Sequence, residues 1–327
     1  MIRFWAFVFL FSCLFKFAHS GINEAIYENI LPGYESFAEK TSKLHAAARK
    51  SCESIEVKEA FHNSFDTWLS IHHIQFGPVE KHNLLFSLYF WPDPKDRTQK
   101  SLRKLSTERD EIVNNPVEFR SVSVAAKGLM SIERLLYDKT FLPTSYKCKL
   151  IRAITFELQK NASKLRLEWF VLANNIYNSR YEEISYFESS EDVKRAIFSS
   201  IITGLEFNEK HRLGRPLGTF ERPRPKRAET RRSNRSIKNI SLSLISIESL
   251  FVSFTDNDFS KVGEAFKTSI IESKALKEGD FKQLSDPQVR FKLEKFKGSI
   301  MSLSDLIVDD VGRKLKIRTG FNAFDGD

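Results

Sequence analysis

From Ser145 to Asn178 the chain contains neither glycine nor proline. A strand of that length would be exceptional, because most strands end within about ten residues. The stretch therefore reads as one long helix. The rest of the chain is built the same way, with only 13 Gly and 10 Pro among 327 residues, too few turn formers for many short strands. Residues 22–52 carry Ile26, Ile30, Tyr34, Phe37 and Leu44 near helical spacing, with Pro32 and Gly33 expected to interrupt them early. Ser54 to Phe76 reads as a second helix with Ser54 as N-cap. Its stripe is Val57, Phe61, Phe65, Trp68, Leu69 and His72, and Gly77-Pro78 stops it. Trp91-Pro92-Asp93-Pro94 is a rigid turn, since prolines fix the backbone and disfavour helix before them. Further helices are expected over 95–113, 116–137, 191–211, from Ile237, and over 258–277 and 286–316.

This pattern predicts an all-α fold of two helical-bundle domains, residues 21–180 and 181–327. A basic, proline-rich connection at 213–236 lies within the second. At 41% hydrophobic residues the chain can bury a substantial core.

The first twenty residues read as a cleavable signal peptide. Arg3 precedes an apolar run from Phe4 to Phe15, and Ala18-His19-Ser20 offers small residues for cleavage. The run is too short to span a bilayer, which takes roughly 20 residues. No other stretch is expected to cross one. The mature chain is expected in the periplasm from Gly21. The alternative is a lipoprotein cut before Cys13, where Leu10-Phe11-Ser12-Cys13 weakly mimics a lipobox. Loss of Arg3 and Lys16 with the leader lowers the formal charge of +9 by two, leaving a moderately basic protein. Nucleic acid is a poor partner for it, as no aromatic residues interleave with the cations.

No zinc-binding His-Glu-x-x-His, no Gly-x-Ser-x-Gly elbow, no phosphate-binding glycine loop and no Cys-x-x-Cys is present. The two mature cysteines, Cys52 and Cys148, are either one disulfide, as an oxidising compartment favours, or two buried thiols. Glu133 is conspicuous because its helical neighbours Leu129, Met130, Leu136 and Tyr137 are all apolar or aromatic. A carboxylate on such a stripe is expected to be buried. It must then be protonated, paired with a cation, or bound to a metal. His73 is either a site residue or a cap on the end of the second helix. Arg231, Arg232 and Arg235 sit at the start of a helix, where cations oppose the dipole. Either they have partners, such as Glu133, the acidic tail or an anionic ligand, or they belong to a solvated linker. Arginine is well shaped for bidentate carboxylate or phosphate contacts.

Four segments, in order, resemble the imelysin-like family, the M75 group of bacterial periplasmic proteins. They are His73 to Pro78 (His-Ile-Gln-Phe-Gly-Pro) with Phe90 to Pro94, and Ala126 to Asp138. They continue with Leu213 to Pro223 plus Arg231 to Ser236, and end with Gly320 to Asp327. The resemblance implies two all-α bundles, a periplasmic setting and a link to iron or other divalent metals. It also implies partners among periplasmic or inner-membrane uptake components. The family signature is Gly-x-His-x-x-Glu. Here Gly128 and Glu133 match, but Met130 stands in place of the histidine. A thioether is a poor ligand for zinc or ferrous iron, so the departure argues against an active metallopeptidase. The remaining readings are a binding or accessory protein in metal uptake, an M75-type peptidase, or a non-catalytic partner-binding protein. The resemblance further favours His73 as a site residue. It also favours a docked tail, with Phe321 and Phe324 as anchors and Asn322, Asp325 and Asp327 brought to the site.

Overall fold

The computed structural model describes residues 21–109, 111–141, 144–255 and 259–317, and among these every regular element is helical. The proposed leader, Cys13, and the tail residues Asn322, Asp325 and Asp327 lie outside the described residues. The principal helices are α1 (Leu31–Lys50), α2 (Ile55–Leu69), α3 (Arg97–Glu108), α4 (Gly128–Tyr137) and α5 (Ser145–Tyr177). They continue with α6 (Ser190–Glu206), α7 (Ser236–Phe254), α8 (Ser260–Ala275) and α9 (Pro287–Leu306).

Helix α5 is the spine, packed along α1 and against α4, while α1 also packs on α2. Its N-terminus is fixed by Thr144, whose hydroxyl accepts from the Lys147 N–H at 3.0 Å. Beyond residue 180, α7 packs on α8 and α6, and α9 packs on α8 and α6. Contacts of α7 with α2 and with the turn Ala25–Ile30 join the two sets, and their buried side chains form one continuous cluster. Cys52 and Cys148 are joined as a disulfide, with Cα atoms 5.3 Å apart, tying the end of α1 to the start of α5. Helix α7 is long and apolar enough to cross a membrane, contrary to the expectation from sequence. Half of its apolar 18-residue window is buried inside the protein.

Several boundaries differ from those expected, each for a local reason. Pro32 and Gly33 do not break the first helix. The turn Ala25–Ile30 is a π-helix that ends two residues before Pro32, and Pro32 then sits in the first turn of α1, where a missing donor is tolerated. Helix α2 stops at Leu69, because the Ser70 carbonyl accepts from Ser246 Oγ of α7 at 2.6 Å. The helix expected over 116–137 is reduced to two 3₁₀ turns, Glu118–Ser121 and Val124–Ala126, followed by α4. Its start is set by Gly128, which adopts φ +68°. A Cβ there would lie 2.2 Å from the Leu88 carbonyl oxygen, so only glycine allows this approach. The basic connection is folded rather than solvated: Ala228, Glu229, Thr230, Ser233 and Arg235 are all buried.

Candidate ligand-binding cleft

The apolar stripe of α4 carries Glu133 inward with it, leaving the residue 1% exposed. Its carboxylate meets the turn that leads into α7. Thr230 and Asn234 both take positive φ, 44° and 53°, and bend the backbone so that consecutive N–H groups converge. Glu133 Oε1 accepts from the Arg232 N–H and the Ser233 N–H, both at 3.0 Å, and from Ser233 Oγ at 3.3 Å. Burial pushes the carboxyl above its ordinary range. The charges of Arg232 and Arg134 and the two N–H donors pull the other way.

The other charged residue of α4, and the charged groups around it, are also engaged. Arg134 pairs with Asp96 and Asp138 and donates to Gln99 Oε1 at 2.5 Å. Arg232 Nε donates to Asp138 Oδ2 at 2.9 Å. Asp93 accepts from the Arg97 and Thr98 N–H groups at 2.9 and 2.8 Å, capping α3.

Between these elements lies a cleft of about 330 Å³. Phe90, Trp91 and Pro94 form one wall, Met130 and Glu133 face it from α4, and the basic segment closes it with Arg215, Lys226, Arg227, Arg231 and Arg232. Of the residues that the sequence singles out, Met130, Glu133, Arg231 and Arg232 are brought together by the fold at this cleft. Gly128 belongs to the same helix but acts through its backbone.

Arg235 and His73 do not line the cleft. Arg235 turns beneath it, pairing with Asp66, donating to the His62 carbonyl at 3.1 Å and lying 4.3 Å over the Phe65 ring. His73 is 2% exposed, packed where a Cβ on Gly204 would come within 2.8 Å of its own Cβ, and its Nδ1 has no hydrogen-bond partner among the described residues. Burial, reinforced by the charge of Arg212, pushes its pKa down to about 3, so it is a neutral core residue.

A second buried network, missed from the sequence, holds the turn from below. Arg212 Nε donates to Glu229 Oε2 at 2.9 Å, Asn239 Nδ2 donates to the same oxygen at 2.6 Å, and the Tyr89 hydroxyl donates to Glu229 Oε1. Arg235 Nε completes it by donating to Asn239 Oδ1 at 2.7 Å. Burial pushes the Glu229 carboxyl up and the Arg212 guanidinium down. One signal was available: Glu229 is the lone acid in the basic run from Arg222 to Arg235.

The donors in the cleft do not fit a bare metal ion. Among the described residues no group of three or more His, Cys, Asp or Glu is placed to hold one. Glu133 already accepts three hydrogen bonds, Met130 offers a soft thioether, and the surroundings are guanidinium groups.

The Imelysin family model (Peptidase M75) matches residues 30–307. The chain belongs to the imelysin family. Its fold is shared with the crystal structure of an imelysin-like protein from Psychrobacter arcticum 273-4. The TM-score is 0.77 at 16% identity, over 92% of this chain and 96% of that one. It is shared also with a protein from Parabacteroides distasonis ATCC 8503 named as an iron-regulated protein A precursor. There the TM-score is 0.68 at 13% identity, over 88% of this chain and 93% of that one. No curated protein matches the sequence. In this imelysin Met130 and Glu133 line one edge of the cleft, while Gly128 sets the start of their helix through its backbone and Glu133 is the acceptor that anchors the basic turn.

Proposed function

We propose that this imelysin is an exported, non-catalytic binding protein, an accessory in iron or other metal handling, whose ligand sits in the cleft between α4 and the turn before α7. The observation that carries the reading is the state of Glu133. A carboxylate whose Oε1 is committed to two backbone N–H groups and a hydroxyl, with no group of His, Cys, Asp or Glu around it able to hold a metal among the described residues, shapes a binding surface. It is poorly placed to act as a metal ligand or as the base of a metal-activated water. The substitution of Met130 for the signature histidine points the same way. The metal-related part of the reading draws support from the fold shared with a protein named as iron-regulated.

The test uses protein recovered from the compartment where it works. Its metal content is measured, small molecules are extracted and identified, and cleavage of a peptide library is assayed with and without chelator. The expected result is a co-purifying small molecule, no chelator-sensitive cleavage, and no metal retained once that molecule is removed. Stoichiometric metal on the ligand-free protein, or chelator-sensitive cleavage lost in Glu133→Gln, would overturn the reading.

A further inference from the structure

The charges lining the cleft do not balance. Its three acids are all occupied: Asp93 caps α3, Asp96 pairs with Arg134, and Glu133 holds the turn. Four of its cations, Arg215, Lys226, Arg227 and Arg231, make no ion pair among the described residues. They also crowd one another. Burial and then the charge of Arg227 act unfavourably on Arg215. On Arg231 burial and the charge of Arg232 act unfavourably, Glu133 and Asp138 answer them in part, and the net remains unfavourable. Arg215 Nε is buried without a hydrogen-bond acceptor among the described residues. A buried donor without an acceptor is costly, and like charges held together are costly again. A single anion between them would remove both penalties.

The walls say which kind of anion. Phe90, Trp91, Pro94 and Met130 present carbon surface beside the guanidinium groups. A bare inorganic ion would leave that surface wet, while a carbon skeleton would cover it. The volume of about 330 Å³ is at the lower end for small-molecule sites and exceeds what one phosphate needs. Planar guanidinium forks match carboxylates in bidentate fashion.

We infer that the cleft binds a small organic anion bearing two or more carboxylates, held by Arg231, Arg215 and Arg227 with its carbon skeleton against Trp91. This rests on the reading above that the cleft holds a ligand. It adds the ligand's chemical class, and explains how a cleft without metal donors could serve metal handling, since polycarboxylates carry metals as chelates.

Calorimetric titration of the purified protein with citrate, malate and oxalate, and separately with acetate and inorganic phosphate, tests it. At least one polycarboxylate should bind one-to-one below about 1 mM. Acetate and phosphate should bind at least tenfold more weakly. Arg231→Gln and Arg227→Gln should each weaken the polycarboxylate tenfold or more, and Lys261→Gln, on exposed surface outside the cleft, should not. Arg227 is itself exposed, so its variant keeps the test readable if Arg231→Gln lowers stability. Three results overturn the inference: no polycarboxylate bound, phosphate bound as tightly, or Lys261→Gln as damaging as the arginine variants. An uncharged molecule recovered from the cleft would also overturn it, yet would leave the binding-protein reading standing.

Discussion

Glu133 is tolerated inside the protein because the backbone of the basic turn comes to it. Removing the acid strands those donors. Glu133→Ala leaves the Arg232 and Ser233 N–H groups facing a void, and should cost about 2–4 kcal/mol. Glu133→Gln keeps an acceptor oxygen at the same reach and should lose roughly half as much. Urea denaturation of the two variants checks this, and equal losses would mean that the hydrogen bonds do not hold the turn. Gly128 makes a complementary case. Its φ of +68° and the 2.2 Å approach to the Leu88 carbonyl predict that Gly128→Ala costs at least about 3 kcal/mol. Gly263 lies inside α8, and a Cβ there meets nothing within 4 Å. Gly263→Ala should therefore gain about 0.5–1 kcal/mol. Opposite signs of ΔTm for two Gly→Ala changes separate a required glycine from a replaceable one. Glu133 was legible in the sequence because apolar neighbours at helical spacing declare burial. The basic segment was named as a possible partner, but the form of the contact was not legible, since it runs through the backbone amides of Arg232 and Ser233 rather than through the guanidinium groups.

Helix α7 shows what a local reading of an element leaves out. Arg231, Arg232 and Arg235 precede its first turn, where positive charge opposes the dipole. The structure answers with an acid from a distant element: the Glu278 carboxylate accepts from the Ile237 N–H at 3.1 Å and the Lys238 N–H at 2.7 Å. Glu278 does the work of an N-cap residue from outside the helix, and it does so next to Arg235. Glu278→Gln should cost about 1 kcal/mol, less at high salt, because the charge is lost while an acceptor remains. Thermal melts at low and high ionic strength would check it; a loss indifferent to salt would mean that the dipole and Arg235 contribute nothing. Elements whose signals are local show in the sequence, such as α5, whose unbroken body from Ser145 carries no glycine or proline. Those whose ends depend on a contact elsewhere were misread. Helix α2 is cut short by Ser246 of α7, and α4 is delayed by the fit of Gly128 against Leu88.

At the scale of the whole molecule the all-helical class followed from the shortage of glycine and proline and from the long apolar stripes, which are properties of composition and period. How the helices assemble did not follow, because it rests on pairings such as Asp66 with Arg235 and Tyr89 with Glu229, far apart in sequence and with nothing local to name the partner. His72 and His73 stand at that same junction, His72 against Tyr89 and Phe207, and His73 against Gly204 of α6. Both have folded pKa values below the ordinary 6.5, His73 at about 3, principally through burial. Between 6.5 and the folded value the unfolded chain binds more protons than the native one, so stability falls as pH falls. Each histidine contributes a slope of about 1.4 kcal/mol per pH unit in that window. Glu229 acts in the opposite sense. Its carboxyl is raised, so the native state binds the extra proton, and stability rises as pH drops toward 4.5. The net pH profile therefore mixes the two, and a difference measurement is needed to separate them. The unfolding free energy of wild type and of His73→Asn, determined in urea from pH 6.5 to 4, should diverge. The wild type should lose about 1.4 kcal/mol more per unit than the variant. Parallel profiles would show that His73 is protonated without difficulty in the native state, and that the junction between the early and late helices is wetter than its packing implies.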